Sequence, residues 1–257
     1  TTMTGRFVQE ILHDRRPAFA LLWCGEPDHI QHNTPLGSSD HLEVLRAADS
    51  NAGAVMRAVD AERARGDDIL LIAMSDHGHE TVSGIVDIEA ELIAAGLKDS
   101  ADSDDVLSLA NGTSALIYVN PRVSARKPAL DAFLREQPWA GRVVAEDRLS
   151  DLGHAPWHGL AFAVAMASDE AANEFGVPGR SLAAKPRWDK PDRVGCGQHG
   201  GLGRFEQSPF LLIDGPGFAA GSRSDAPATI VDIAPTVMRH LGLPSDGMDG
   251  SPLQTGV

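Results

Sequence analysis

The fold reading turns on Ile69-Leu70-Leu71-Ile72-Ala73-Met74-Ser75-Asp76-His77-Gly78. Six apolar residues without polar alternation predict a strand covered on both faces, the habit of parallel sheets. The polar Ser-Asp-His-Gly begins where the apolar run stops. That is the carboxyl end of the strand, where open α/β sheets place their ligands. Similar runs at residues 19–23, 115–119, 161–166 and 209–213 predict further strands. Pro209 belongs at the start of its strand because it has no N–H to donate to the ladder.

Between these runs lie stretches of helical period. Residues 6–13 are expected to be helical, with Thr4 as N-cap. Residues 41–65 put Leu42, Leu45, Ala52, Val55, Met56 and Val59 on one face, and Gly66 ends the helix. Residues 86–95 stop at Gly96, and residues 128–135 open with a proline suited to a first turn. Residues 229–241 stop at Gly242, and Pro235 moves the expected helix start to about Ala234. The alternation predicts an α/β layered fold with a mainly parallel central sheet. Residues 99–105 read as a solvated acidic loop, and residues 176–208 as a long functional or mobile loop.

The chain has 257 residues, 42% hydrophobic and 23% charged, enough for one large core. No apolar run reaches the ~18 residues of a membrane span. A net charge of −14 argues against nucleic-acid polymers and anionic membranes as partners, although a local cationic site can still bind phosphate. Two cysteines, Cys24 and Cys196, do not make a disulfide scaffold, and free buried thiols are expected. The opening Thr1-Thr2-Met3 carries no signal-peptide pattern and leads almost at once into a helix, so a truncated or partial chain is expected.

Three polar clusters carry the chemistry. Pro27-Asp28-His29-Ile30-Gln31-His32 follows the first apolar run, Ser75-Asp76-His77-Gly78 the second, and Gly197-Gln198-His199-Gly200 lies in the long loop. Carboxylates and imidazoles suit zinc, manganese or iron without a thiolate. Each cluster alone also fits ordinary loop polarity. Taken together they point to metal. Two aspartates about 6 Å apart would repel by about 3 kcal/mol at an effective dielectric near 20, and a divalent ion turns that penalty into attraction.

These motifs, in this order, resemble the type I phosphodiesterase/nucleotide pyrophosphatase family of the alkaline phosphatase superfamily. Ala48-Asp49, Asp232-Ile233-Ala234-Pro235-Thr236, Leu241-Gly242 and Asp249-Gly250-Ser251-Pro252-Leu253 are similar too. The resemblance implies an alkaline-phosphatase-like fold and a hydrolase of phosphodiester or pyrophosphate bonds. It implies two divalent ions, zinc first, and a small phosphate ester or nucleotide as substrate. It assigns Asp28, His32 and His199 to one ion, and Asp76 and His77 to the other. It divides the chain into a metal-binding core, 1–83 and 197–257, and a mixed core and cap-like insertion, 84–196. The family's Thr or Ser nucleophile lies upstream of the Pro-Asp motif and is expected before Thr1, with the N-terminal part of the fold, so no catalytic residue is assigned here. Gln31 stands where the family often has Gly. His79 stands where Met is common, and is expected either to line the substrate pocket or to pack. Asp49 is expected to orient a ligand or to act as a local cap partner. A phosphonate or sulfate-ester hydrolase on the same scaffold and a non-catalytic metal-binding fragment remain as alternatives.

Overall fold

The computed structural model describes residues 2–187 and 193–254. In chain order, α1 (Met3–Arg6) runs into a π-helical stretch (Phe7–Arg15), followed by α2 (Asp28–Gln31), α3 (Ser39–Arg63), β1 (Leu71–Met74), β2 (Glu80–Val86) and α4 (Ile88–Ala94). Then come β3 (Val106–Asn111), β4 (Ser114–Val119), α5 (Lys127–Glu136), β5 (Ala140–Ala145), β6 (Leu160–Met166), β7 (Ser168–Ala172), β8 (Pro178–Ala184), β9 (Gly197–Gln198), β10 (Leu211–Asp214) and α6 (Ile233–His240). The chain separates into two compact units: Thr1–Gly25, Leu45–Asp76 and Phe210–Val257 form one, Glu26–Val44 and His77–Pro209 the other.

In the first unit β1 pairs antiparallel with β10, Leu71 opposite Asp214 and Met74 opposite Leu211. Arg63, in the last turn of α3, fastens the pair. Its guanidinium donates to the Ile69 carbonyl at 2.8 Å and the Asp214 carbonyl at 2.7 Å, and meets the Asp214 carboxylate at 2.5 Å. The N-terminal helix begins earlier than its sequence predicts. Thr2 is the cap, accepting the Gly5 N–H at 3.1 Å, while Thr4 is buried inside the first turn. Residues 19–23 form no strand, and Phe19, Leu21 and Trp23 are exposed. An apolar run becomes a buried strand only where another strand pairs with it and side chains cover it, and no described strand pairs with this one.

The second unit holds two four-stranded sheets, ordered β7-β8-β2-β9 and β3-β4-β6-β5. Among the described residues β2–β8 is the one parallel pair, so the sheets are mostly antiparallel rather than mainly parallel. The physical reason is visible in β4 and β6. Ala115, Ile117 and Val119 join Phe162, Val164 and Met166 in a core with Leu92, Leu130 and Leu134, while Leu116 and Tyr118 pack with Ala163, Val144 and Leu149 on the opposite face. A sheet buried on both faces reads as continuously apolar whatever its strand directions. Each fully buried Leu or Ile contributes about 1.5–3 kcal/mol relative to exposure.

Two expected loops are ordered. The 99–105 segment folds over Lys98, whose buried ammonium donates to the carbonyls of Ser103 at 2.7 Å and Val106 at 2.6 Å. Asp105 is buried beside it and accepts the Asp99 N–H at 2.9 Å. Within 176–208, β8 and β9 are strands, and residues 188–192 lie outside the described part. Both cysteines are free, Cys24 exposed and Cys196 half-buried.

Candidate metal centre

The site is built from three pieces of the second unit. The first is α2, a single turn. Asp28 and His32 are four apart and share its face. Glu26 accepts the Ile30 N–H at 3.1 Å, holding the turn's start. Gln31 ties its end to His41, whose ring lies 3.0 Å from the Gln31 amide. His41 Nδ1 accepts the Gly37 N–H at 2.8 Å, which fixes the ring that Gln31 leans on.

The second and third pieces are the entry to β2 and the exit from β9. Glu80 is registered against Gln198 and Thr81 against Gly197. Continuing that antiparallel register by one residue brings His79 opposite His199. Gly78 lies so close to the 205–206 backbone that a Cβ would sit 2.1 Å from the Phe205 carbonyl oxygen. Its N–H donates to the Glu206 carbonyl at 2.8 Å. Gly200, at φ +118°, turns the chain against Asn111 at the tip of the β3–β4 hairpin.

These pieces surround one oxygen. Asp28 Oδ1 lies 3.0 Å from His79 Nε2, 3.3 Å from His32 Nε2, 3.5 Å from His199 Nε2 and 4.0 Å from His77 Nε2. Ligand atoms of Asp28, His32, His79 and His199 all fall within 4.8 Å of one another, the spacing of a metal site. The His77 and His199 rings stack with centroids 3.5 Å apart.

The tautomers sharpen the chemistry. His32 Nδ1 lies 3.2 Å from the Gly197 carbonyl and His77 Nδ1 lies 3.1 Å from the Gly78 carbonyl. A carbonyl only accepts, so these Nδ1 atoms carry protons, and Nε2 is the nitrogen each ring turns toward Asp28 for a metal to bind. His79 Nε2 lies within hydrogen-bond reach of Asp28 Oδ1 at 3.0 Å, a place a metal ion could take instead of a proton. Burial, and then the neighbouring His199, His32, His77 and His41, hold His79 down at about 3. His199 is lowered too, first by burial and then by His77 and His32, with Asp28 and Glu206 pulling the other way. Three imidazoles with one carboxylate fit a divalent transition metal.

Of the residues expected at the site, Asp28, His32 and His199 come together, with His77 at the edge. Asp76 follows β1 at the end of the first unit and is exposed. Asp49, on α3, is exposed, and its carboxylate has no hydrogen-bond or ion-pair partner among the described residues. His79 sits at the centre, its side chain only 4% exposed and its Nδ1 buried without a partner. Its signal in the sequence was the His77-x-His79 alternation leading into a strand, which puts both rings on one side of an extended chain. His154 lies apart from the cluster, lining a cavity of about 540 Å³ with Asn111, Ser114 and Gly200. Of the threonines before Asp28, Thr2 uses its hydroxyl as a cap, Thr4 is buried in α1, and Thr1 lies outside the described residues.

A model of the type I phosphodiesterase / nucleotide pyrophosphatase family matches residues 1–175. The chain belongs to this family. The match includes Asp28, His32, Asp76, His77 and His79, while His199 lies beyond it. The family is one of metal-dependent hydrolases acting on small phosphodiester substrates, and the Asp/His cluster is where this member could bind a metal. No curated protein matches the chain. No helix among the described residues is long and apolar enough to cross a membrane.

Proposed function

We propose that Asp28, His32, His79 and His199 hold one divalent ion, zinc first, and that the chain serves hydrolysis of phosphodiester or pyrophosphate bonds in small molecules such as nucleotides. The observation that carries this reading is the gathering of possible ligand atoms from Asp28, His32, His79 and His199 within 4.8 Å of one another. Bound there, the ion would supply Lewis-acid polarisation of a phosphoryl oxygen. Asp28 contributes one negative charge and the neutral imidazoles contribute none. A divalent ion therefore leaves the site net positive, and an acidic protein gains a local attraction for an anionic ester. The Gly197 carbonyl fixes the His32 ring, and burial holds His79 neutral. Asp28 is 46% exposed, which leaves the cluster open to a substrate from solvent. For a second ion the support is the Ser75-Asp76-His77-Gly78 motif alone. We carry residues 84–196 as the segment that shapes substrate choice.

The test is a comparison of rates of the full-length protein on an aryl phosphodiester, an aryl phosphonate and an aryl sulfate. The diester is expected to have the highest kcat/KM, to lose it to a chelator and to regain it with Zn²⁺. A faster sulfate or phosphonate, or indifference to the chelator, would overturn the assignment. Tight metal binding with no turnover on any ester would retain the metal centre and remove the hydrolytic role.

A further inference from the structure

The loop that carries His199 is organised by a buried carboxylate outside the cluster. Glu206 is 2% exposed, and both its oxygens are engaged. Oε2 accepts the Thr113 hydroxyl at 2.6 Å and the Gly201 N–H at 2.9 Å, and Oε1 accepts the Gly203 N–H at 2.8 Å. The Gly201 N–H is shared with the Thr113 hydroxyl oxygen at 2.8 Å. Thr113, itself fully buried, donates its own N–H to the His199 carbonyl at 3.2 Å. No Lys, Arg or His among the described residues forms an ion pair with Glu206. A carboxylate is a costly thing to bury for packing alone.

The same residue reaches the other side of the cluster. The Glu206 carbonyl accepts the N–H of Gly78, the residue between His77 and His79. Side chain and backbone of one glutamate thus touch the turn after His199 and the turn that presents His77 and His79. A carboxylate accepting three hydrogen bonds from two backbone amides and a hydroxyl fixes a loop more firmly than neutral acceptors would.

We propose that Glu206 is the positioning residue of the metal centre, setting the distance between His199 and the His77–His79 turn, with Thr113 as its partner. This rests on the metal centre proposed above. In Glu206→Gln the amide nitrogen must face either the Gly203 N–H or the Gly201–Thr113 pair, so a donor is left facing a donor while the volume is kept. His199 then loses its fixed place without losing its ring.

The experiment measures Zn²⁺ affinity by chelator competition, and the visible spectrum of the Co²⁺-loaded protein. It uses wild type, Glu206→Gln, His199→Ala and the double variant, with metal-free thermal unfolding as the folding control. Glu206→Gln is expected to weaken Zn²⁺ binding by roughly 10- to 100-fold, the usual effect of losing an outer support of a metal ligand, and to alter the Co²⁺ spectrum. In the His199→Ala background the same change is expected to alter the remaining affinity by less than about twofold, because the coupled part has already been removed. An unchanged affinity in folded Glu206→Gln, or equal losses in both backgrounds, would overturn the role. Should Glu206→Gln fail to fold, Thr113→Val is read in the same way, and full wild-type affinity in that variant overturns it. A wild type that binds no metal removes the metal centre itself, an outcome separate from failure of the Glu206 role.

Discussion

β6 is buried at every one of its seven residues, whereas Leu21 and Trp23 stand 69% and 65% exposed. The difference lies in what pairs with each segment. β6 has β4 on one side and β5 on the other, with a packed cluster on each face. Residues 19–23 have no strand partner, and in their unit β1 pairs with β10 alone among the described residues. Cover, rather than composition, decides which apolar segment carries stability. The unit with the closed core is also the one that assembles the Asp/His cluster, because holding a ring to within a fraction of an ångström requires rigid elements behind it.

Three substitutions separate the two regions, from the largest effect down. Ile117→Ala, at the centre of β4 and fully buried, is expected to cost about 2–5 kcal/mol in denaturant unfolding. A loss under ~1 kcal/mol would break the claim that this sheet carries the stability. Asp105→Asn is expected to cost about 1–3 kcal/mol at neutral pH through the lost charge-assisted bonds. Burial pushes Asp105 up, but hydrogen bonds from Ser103, the Asp99 and Val106 amides and Arg126 outweigh it and hold it well below the usual carboxylate range. A depressed folded value means its contribution is complete above the unfolded value near ~4 and fades as pH falls below it. Wild type and variant should therefore converge in stability toward pH 2, and a constant gap between them would contradict the assignment. Leu21→Ala, in the uncovered segment, is expected to shift unfolding by no more than about 0.5 kcal/mol. A core-sized loss there would mean that residues 19–23 are covered after all.

Part of this was legible in the sequence. Apolar runs marked β1, β4, β6 and β10, and glycines at positions 66, 96 and 242 marked helix ends. Strand direction was not legible, because burial on both faces erases the alternation that would have separated antiparallel from parallel strands. The run at 19–23 misled because the sequence records apolarity without recording a partner. Asp28, His32 and His199 stood out as motifs. His79 was underestimated because its importance depends on the β2–β9 register, a long-range pairing. Glu206 gave no signal at all, since nothing in Arg204-Phe205-Glu206-Gln207 distinguishes a buried acceptor from an ordinary surface glutamate.

X-ray absorption at the zinc edge of the Zn²⁺-loaded chain tests the metal centre most directly. The account predicts a nitrogen/oxygen shell at about 2.0–2.1 Å, with outer-shell scattering from three imidazoles that falls to two in His79→Ala. Sulfur at about 2.3 Å, a shell of oxygens without imidazole scattering, or a spectrum unaltered by His79→Ala would contradict it.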